Sequence, residues 1–303
     1  MKAAIYHRYG DSDVLQYGDI ERPTPGAGQV LVKVAGTSFN PVDAGIRGGY
    51  LSEVFPITFP HIPGIDVAGT IVELGDGVTG WHVGDAVVGL LPMAARGAAA
   101  EYVVAPAEVL AAAGKSLPLA DFAALPTVGL TAWQALFEIA ELGAGQTILI
   151  NGAGGAVGGY AVQLAKHAGA VVTATAKATA AERLRGYGAD HLIDYLDYAA
   201  TPVLDSEPFD VVLNLVSTTP DETDVLGGLM ADGGRYVGTM TSGPGQRVFV
   251  RSDAVQLVGL VEQVDAGQLR IDIADRRPLA DIAAVHADAD ARRLPGKTIL
   301  TVG

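Results

Sequence analysis

The sequence predicts an α/β protein with a β-rich first part and a second part built on a parallel sheet. Two observations carry this. Before about residue 120, short apolar runs are separated by Gly and Pro clusters, the pattern of a small barrel or sandwich. Beyond it, strand-like runs alternate with segments of helical spacing, the pattern of a doubly wound parallel sheet covered on both faces.

In the first part, residues 30–35 (VLVKVA) alternate apolar and polar, and residues 67–74 do so loosely. Residues 86–91 form an apolar run and residues 101–104 a short strand candidate, with turns at 23–26, 63–64, 75–77 and 84–85. Residues 120–140 then carry Leu130, Trp133, Leu136, Phe137 and Ala140 at helical spacing. A strand over 147–150 leads through a Gly-rich turn into a helix over 157–168. A strand over 170–174 and a helix over 180–187 follow, then strand-like pieces at 191–193, 211–216 and 235–238. After Ser252 a helix places Val255, Val258, Val261 and Val264 near one face and stops at Gly267. Residues 297–302 return to strand character. The resulting division is 1–122, 123–252, and a segment 253–303 that returns to the first domain.

The chain has 303 residues, with 34 acids against 20 Lys and Arg and a net charge of −14. That balance argues against nucleic acid or an anionic membrane as partner. No cysteine is present, which excludes disulfides, thiolate catalysis, Fe–S clusters and Cys-based zinc sites. The six histidines show no metal-ligand spacing, and His61, beside Pro60 and Pro63, reads as structural; no metal site is expected. No apolar run reaches the ~18 residues that span a bilayer, and the first residues lack an apolar signal core. The reading is a soluble, cytoplasmic protein.

The strongest local signal runs from the apolar residues 148–150 and Asn151 through Gly152, Gly155 and Gly158 into residues 160–166. A pyrophosphate needs this placement. The strand brings the chain to the sheet's carboxyl edge, glycine permits close approach, and the helix N-terminus offers free N–H groups. The alternative is a glycine-bearing turn with no ligand. At the end of the next strand, where an NAD site carries an acid for the ribose hydroxyls, the chain reads Thr175, Ala176, Lys177. Lys177 is one of six lysines. It stands where a 2′-phosphate would sit, or else is an ordinary solvated lysine; the missing acid and the added cation favour NADPH.

Along nearly its whole length the chain resembles the zinc-independent medium-chain dehydrogenase/reductases of the quinone oxidoreductase (zeta-crystallin-like) type. Asn40, Pro41 and Asp43 with Arg47 resemble N-P-x-D…R, residues 63–69 P-G-x-D-x-A-G, and residues 83–87 V-G-D-x-V. Residues 123–132 resemble A-A-x-P…L-T-A, and residues 161–166 A-V-Q-L-A-K after the glycine turn. Residues 188–190, 194–195 and 296–297 follow in order.

The resemblance implies a GroES-like catalytic domain, a Rossmann domain, an active site in the cleft between them, and a homodimer. It places Asn40 and Thr131 near the nicotinamide. Gly155, Ala156, Val157 and Gly158, with Gly152, fall at the pyrophosphate; Lys177 and Tyr195 fall by the adenosine phosphate, and Thr175 joins the cofactor-binding set. Asn214 and Val216 follow the fourth nucleotide-domain strand, and Lys297 closes the cofactor set. Asn214 stands where relatives more commonly have Asp. Zinc-dependent relatives carry Cys where Asn40 stands and His-Glu where Ile65 and Asp66 stand, so no zinc ligand is kept. Tyr50 resembles the tyrosine near the substrate of zinc-independent enoyl reductases; it either donates a proton, or else lines a lid or packs. The implied activity is NADPH-dependent reduction of quinones or small electron-poor alkenes and enones. The alternatives are a 2-enoyl thioester reductase and an NADPH-binding protein without turnover.

Overall fold

The computed structural model describes residues 1–194, 196, 198, 208–240 and 245–303. They form two compact units, one of residues 1–127 with 252–303 and one of residues 128–251.

The first unit starts with a hairpin of β1 (Lys2–Ile5) and β2 (Gln16–Asp19). The long β3 (Gln29–Ser38) follows, then the short helix α1 (Pro41–Arg47) and strands β4 (Asp66–Leu74), β5 (Ala86–Leu90), β6 (Tyr102–Pro106) and β7 (Leu110–Ala112). Strand β3 is the hub. It pairs antiparallel with β4 along one edge and with β6 along the other. Its alternating valines, Val30, Val32 and Val34, are buried with Val67, Ile71, Val87 and Leu91. That alternation made β3 legible in the sequence.

Residues 120–140 are not one helix. A 3₁₀ segment over Leu119–Ala124 is followed by α2 (Pro126–Trp133), with Pro126 at its first position, where a missing N–H costs nothing. The chain then widens into a π-helical stretch over Gln134–Ile139. There the Gln134 side chain is committed outside the helix, donating to the Arg251 carbonyl at 3.0 Å and accepting the Arg251 N–H at 3.1 Å. Trp133 and Phe137 still meet edge to face at 4.7 Å, as the spacing implied.

The second unit alternates β8 (Thr147–Asn151), α3 (Ala156–His167), β9 (Val171–Thr175), α4 (Ala178–Gly186), β10 (His191–Ile193), β11 (Phe209–Asn214), α5 (Pro220–Gly227), β12 (Met230–Gly238) and β13 (Gln246–Arg247). The order across its six-stranded sheet is β10-β9-β8-β11-β12-β13, every pairing parallel. This is a Rossmann-like sheet. Its order reverses direction at β8, the topological switch point where such sheets take ligands at the carboxyl edge.

The last segment carries α6 (Ala254–Asp265), β14 (Asp275–Pro278), α7 (Ile282–Asp290) and β15 (Thr298–Thr301). Strand β15 pairs antiparallel with β3, placing it in the first unit's sheet. In α6 the buried side chains are Leu257, Leu260, Val261 and Val264, while Val255 and Val258 are exposed. The four-valine face expected from the sequence is therefore corrected. A spacing of three turns the face back by about 60° each step, so Val255 and Val264 point to opposite sides. Among the described residues, no helix is long and apolar enough to cross a membrane.

Candidate functional site

In the first unit the polar residues converge on Asp66. It sits at the start of β4, wholly buried, and both its oxygens are occupied. Oδ1 accepts from the Thr127 backbone N–H at 2.8 Å and the Thr127 hydroxyl at 2.7 Å. Oδ2 accepts from the Ser38 hydroxyl, from Asn40 Nδ2 at 2.8 Å and from the Lys297 ammonium at 3.2 Å. Lys297 also donates to Asn40 Oδ1 at 2.6 Å and to the Phe39 carbonyl at 3.4 Å.

Asn40 is held between the two charges. An ammonium only donates and a carboxylate only accepts, so the amide oxygen faces Lys297 and its nitrogen faces Asp66. The amide orientation, ordinarily ambiguous, is fixed by chemistry. Asn40 is also the N-cap of α1, where the Asp43 carboxylate reaches back to its N–H at 2.9 Å. Asp43 accepts the Gly64 N–H as well. Burial pushes the Asp43 carboxyl up to about 6, with the Asp66 charge adding to the rise and the two N–H donors opposing it.

These residues do not fit a zinc ion. Asn40 offers an amide, Ile65 has no donor atom, the Asp66 oxygens are already filled, and the Lys297 ammonium occupies the centre of the cluster. Among the described residues, no group of three or more His, Cys, Asp and Glu could hold a metal ion.

Tyr50 lies in the turn after α1, 85% exposed. Lys297 has a different environment from that of a phosphate ligand, with its side chain 2% exposed and its ammonium committed to Asn40, Asp66 and Phe39.

In the second unit the site is the carboxyl edge at β8, β9 and β11. Gly152 follows β8 with φ +84°, a left-handed conformation that glycine adopts without strain. Its N–H donates to the buried Thr175 hydroxyl at 2.9 Å. Thr175 donates in turn to Asn151 Oδ1 at 2.8 Å. Asn151 Nδ2 donates to Tyr198 Oη at 2.9 Å and to Asn214 Oδ1 at 3.0 Å, and Asn214 donates to Thr218 at 3.0 Å. A polar chain thus runs across the tips of three strands, beneath the glycine turn. The sequence places Thr175 and Asn214 in the cofactor set, but Asn151 only at the end of the strand that leads into the glycine turn. Its signal was the polar residue that ends an otherwise apolar strand.

Gly155 is the N-cap of α3, and a glycine cannot cap with a side chain. The first-turn N–H groups of Ala156, Val157 and Gly158 stand at a positive helix end with no acidic residue in that turn. A Cβ on Gly158 would lie 2.4 Å from the Ala153 carbonyl, so the helix can enter this close to the turn only with glycine there. These features fit a dinucleotide pyrophosphate. Lys177 is the exposed N-cap of α4, just past β9. Thr131, in α2, is buried, and Val216, just after β11, is 38% exposed. Tyr195 lies outside the described residues.

The profile of the Alcohol dehydrogenase GroES-like domain matches residues 26–115, and that of the family called Zinc-binding dehydrogenase matches residues 187–300. The NADPH-dependent alkenal/one oxidoreductase, chloroplastic, of Arabidopsis thaliana is 33% identical over 315 residues, covering 99% of this chain and 79% of that one. The chain belongs to the medium-chain dehydrogenase/reductase superfamily, quinone oxidoreductase type. It is an oxidoreductase of that family. The quinone-oxidoreductase homolog, chloroplastic, of Spinacia oleracea is 41% identical over 201 residues; the match spans 64% of this chain and 61% of the spinach protein. The structure of the quinone oxidoreductase from Coxiella burnetii superimposes with a TM-score of 0.91 at 29% identity, covering 100% of this chain and 99% of that one. The GroES-like and Rossmann expectations therefore hold for this member of the family.

Proposed function

We propose that this chain uses NADPH to reduce quinones or small electron-poor alkenes and enones, by hydride transfer without zinc. The observation that carries the reading is the carboxyl edge of the six-stranded sheet. There an uncapped glycine N-terminus meets a strand whose tip carries Lys177 in place of an acid. The names of the spinach, Arabidopsis and Coxiella relatives support the substrate class.

When bound, NADPH supplies the hydride. The first-turn N–H groups of α3 would hold the pyrophosphate, and Lys177 would attract the 2′-phosphate. Asn40 and Thr131 orient the nicotinamide. Lys297 serves that contact through Asn40, whose amide it fixes, and Asn214 and Val216 border the cofactor's path. The buried cation of Lys297 favours a metal-free mechanism.

The test is NADPH and NADH oxidation with quinones, alkenals and enoyl-CoAs as acceptors. Turnover with quinones or alkenals and a lower KM for NADPH is the expected result. Lys177→Glu should reverse the cofactor order, since it removes a phosphate-binding cation and adds an acceptor for ribose hydroxyls. Equal KM values for the two cofactors in the unmodified protein would sink the NADPH assignment. Binding of NADPH without turnover on any acceptor would favour a non-catalytic role.

A 2-enoyl thioester reductase is the second reading, favoured by the exposed Tyr50 phenol. Adding hydride to an enone builds charge that a placed donor quenches, worth about 10²–10⁴-fold, whereas quinone oxygens take protons from water. Tyr50→Phe should therefore cut enone turnover at least about tenfold and leave quinone turnover nearly intact. Equal losses on both substrates would make Tyr50 a lid or positioning residue. The reading also includes a homodimer, which sedimentation at twice 31.1 kDa would support, and a reducing, cytoplasmic setting, with which the absence of cysteine agrees.

A further inference from the structure

Helix α4 carries a second cation toward the glycine turn. The Arg183 guanidinium, half-buried, donates through NH2 to the carbonyl of Gly154 at 2.7 Å. Gly154 lies between Gly152 and the N-cap of α3, inside the turn assigned to the pyrophosphate. A Cβ on Gly154 would meet those of Ala176 and Ala180 at 3.5 and 3.6 Å. The glycine turn, the β9–α4 connection and one face of α4 therefore come together over small side chains. Arg183 is fastened across that junction, one turn beyond Ala180 on the helix.

We propose that Arg183 is a second cation of the adenosine 2′-phosphate site and, with Lys177, selects NADPH over NADH. The inference rests on the NADPH reading given above.

Three considerations support it. The chain carries a net charge of −14, a field that repels a phosphate dianion, so a local excess of cations must overcome it. One lysine on a flexible stem is a point charge with little directional preference, whereas a guanidinium is a planar fork that matches phosphate oxygens. The bond to Gly154 holds that fork in place, so less side-chain freedom is lost on binding. Arg185, two residues further on, lies about 200° around the helix and is exposed. Glu182, the adjacent acid, does not share the face of Arg183, because neighbouring helical residues point apart.

The experiment measures affinities of the full chain for NADPH, NADH and 2′,5′-ADP by titration calorimetry, in the unmodified protein and in Arg183→Gln, Arg183→Lys and Lys177→Gln. The probe 2′,5′-ADP carries the 2′-phosphate but no nicotinamide. In Arg183→Gln, affinity for NADPH and 2′,5′-ADP should fall at least about tenfold more than affinity for NADH, the scale of a lost charge-assisted hydrogen bond. Arg183→Lys should recover part of the difference, because it keeps the charge and loses the fork. Thermal melts confirm that each variant folds; should Arg183→Gln fail to fold, the Arg183→Lys comparison decides.

Parallel losses for NADPH and NADH would make Arg183 a support of the turn alone and overturn the inference. So would a preference for NADPH unchanged in both Arg183 variants. If Lys177→Gln abolishes the preference while the Arg183 variants keep it, the NADPH reading stands and only this inference falls. Equal affinities for both dinucleotides in the unmodified protein would overturn the two together.

Discussion

Lys297→Met should destabilise the unit of residues 1–127 and 252–303 by about 3–5 kcal/mol, the usual cost of removing one partner from a buried ion pair. The Asp66 side chain is 0% exposed and that of Lys297 2% exposed, so water cannot replace the lost cation. Met fills the aliphatic volume but leaves a carboxylate without its counter-charge and Asn40 Oδ1 without its donor. Asp66→Ala should cost at least as much, since it strands donors on Ser38, Asn40, Thr127 and Lys297 together. Combining Asp66→Asn with Lys297→Met removes both charges and keeps an acceptor for Thr127. That pair should be more stable than Lys297→Met alone by about 1–2 kcal/mol. The chain has two tryptophans, Trp81 in this unit and Trp133 in the other. Urea unfolding followed by fluorescence in a Trp133→Phe background therefore reports this unit. A Lys297→Met midpoint close to that of the parent would mean that Asp66 finds another partner or sheds its charge at little cost.

This cluster also marks the limit of what the sequence could show. Asp66 and Lys297 are 231 residues apart, and no local pattern links them. Lys297 read as one more cofactor contact because a lysine near the chain's end carries no sign of burial. The same holds for Arg47, whose guanidinium meets His286 Nδ1 at 2.8 Å across 239 residues of chain. By contrast, the path from β8 through the glycine turn into α3 was legible, since the apolar run, the glycines and the helical spacing each act over a few residues. Strand β3 was legible because its alternating valines face one core. Strands β1, β2, β7, β13 and β14 were missed, being two to four residues long and held by pairing rather than by pattern. In α6 residue type misleads where period decides; the leucines at 257 and 260, not the valines at 255 and 258, face inward. Asn151 was legible only as the end of a strand, because its bridging role appears when three strand tips stand side by side.

Acid should weaken the first unit well before its surface carboxylates titrate. Burial holds the His286 imidazole down at about 3, helped by the Arg47 charge that its Nδ1 accepts from. Burial likewise lowers His61 to about 4, helped by Arg96. In the unfolded chain both protonate near the ordinary 6.5. As pH falls below that value the unfolded state gains protons that the folded state refuses, so each histidine subtracts stability. Asp43 works in the opposite direction. Its folded value of about 6 lies above the ordinary 3.8, so the folded state takes up the proton first and gains stability as pH falls through that window. Between pH 6 and 4 two histidines oppose one carboxyl, which leaves one proton in favour of unfolding, a loss of roughly 1.4 kcal/mol per pH unit. Carboxylates held low, such as Asp288 beside Arg277 and Arg293, lose their contribution only as pH drops below the ordinary carboxylate range. His286→Gln keeps an acceptor for Arg47 and removes one titration. Over the same window His61 and Asp43 then nearly cancel, so the variant's stability should stay almost level while that of the parent declines. Midpoints of urea unfolding at half-unit steps from pH 7 to 4 make the comparison. Two parallel curves would show that His286 protonates in the folded unit as readily as in the unfolded chain.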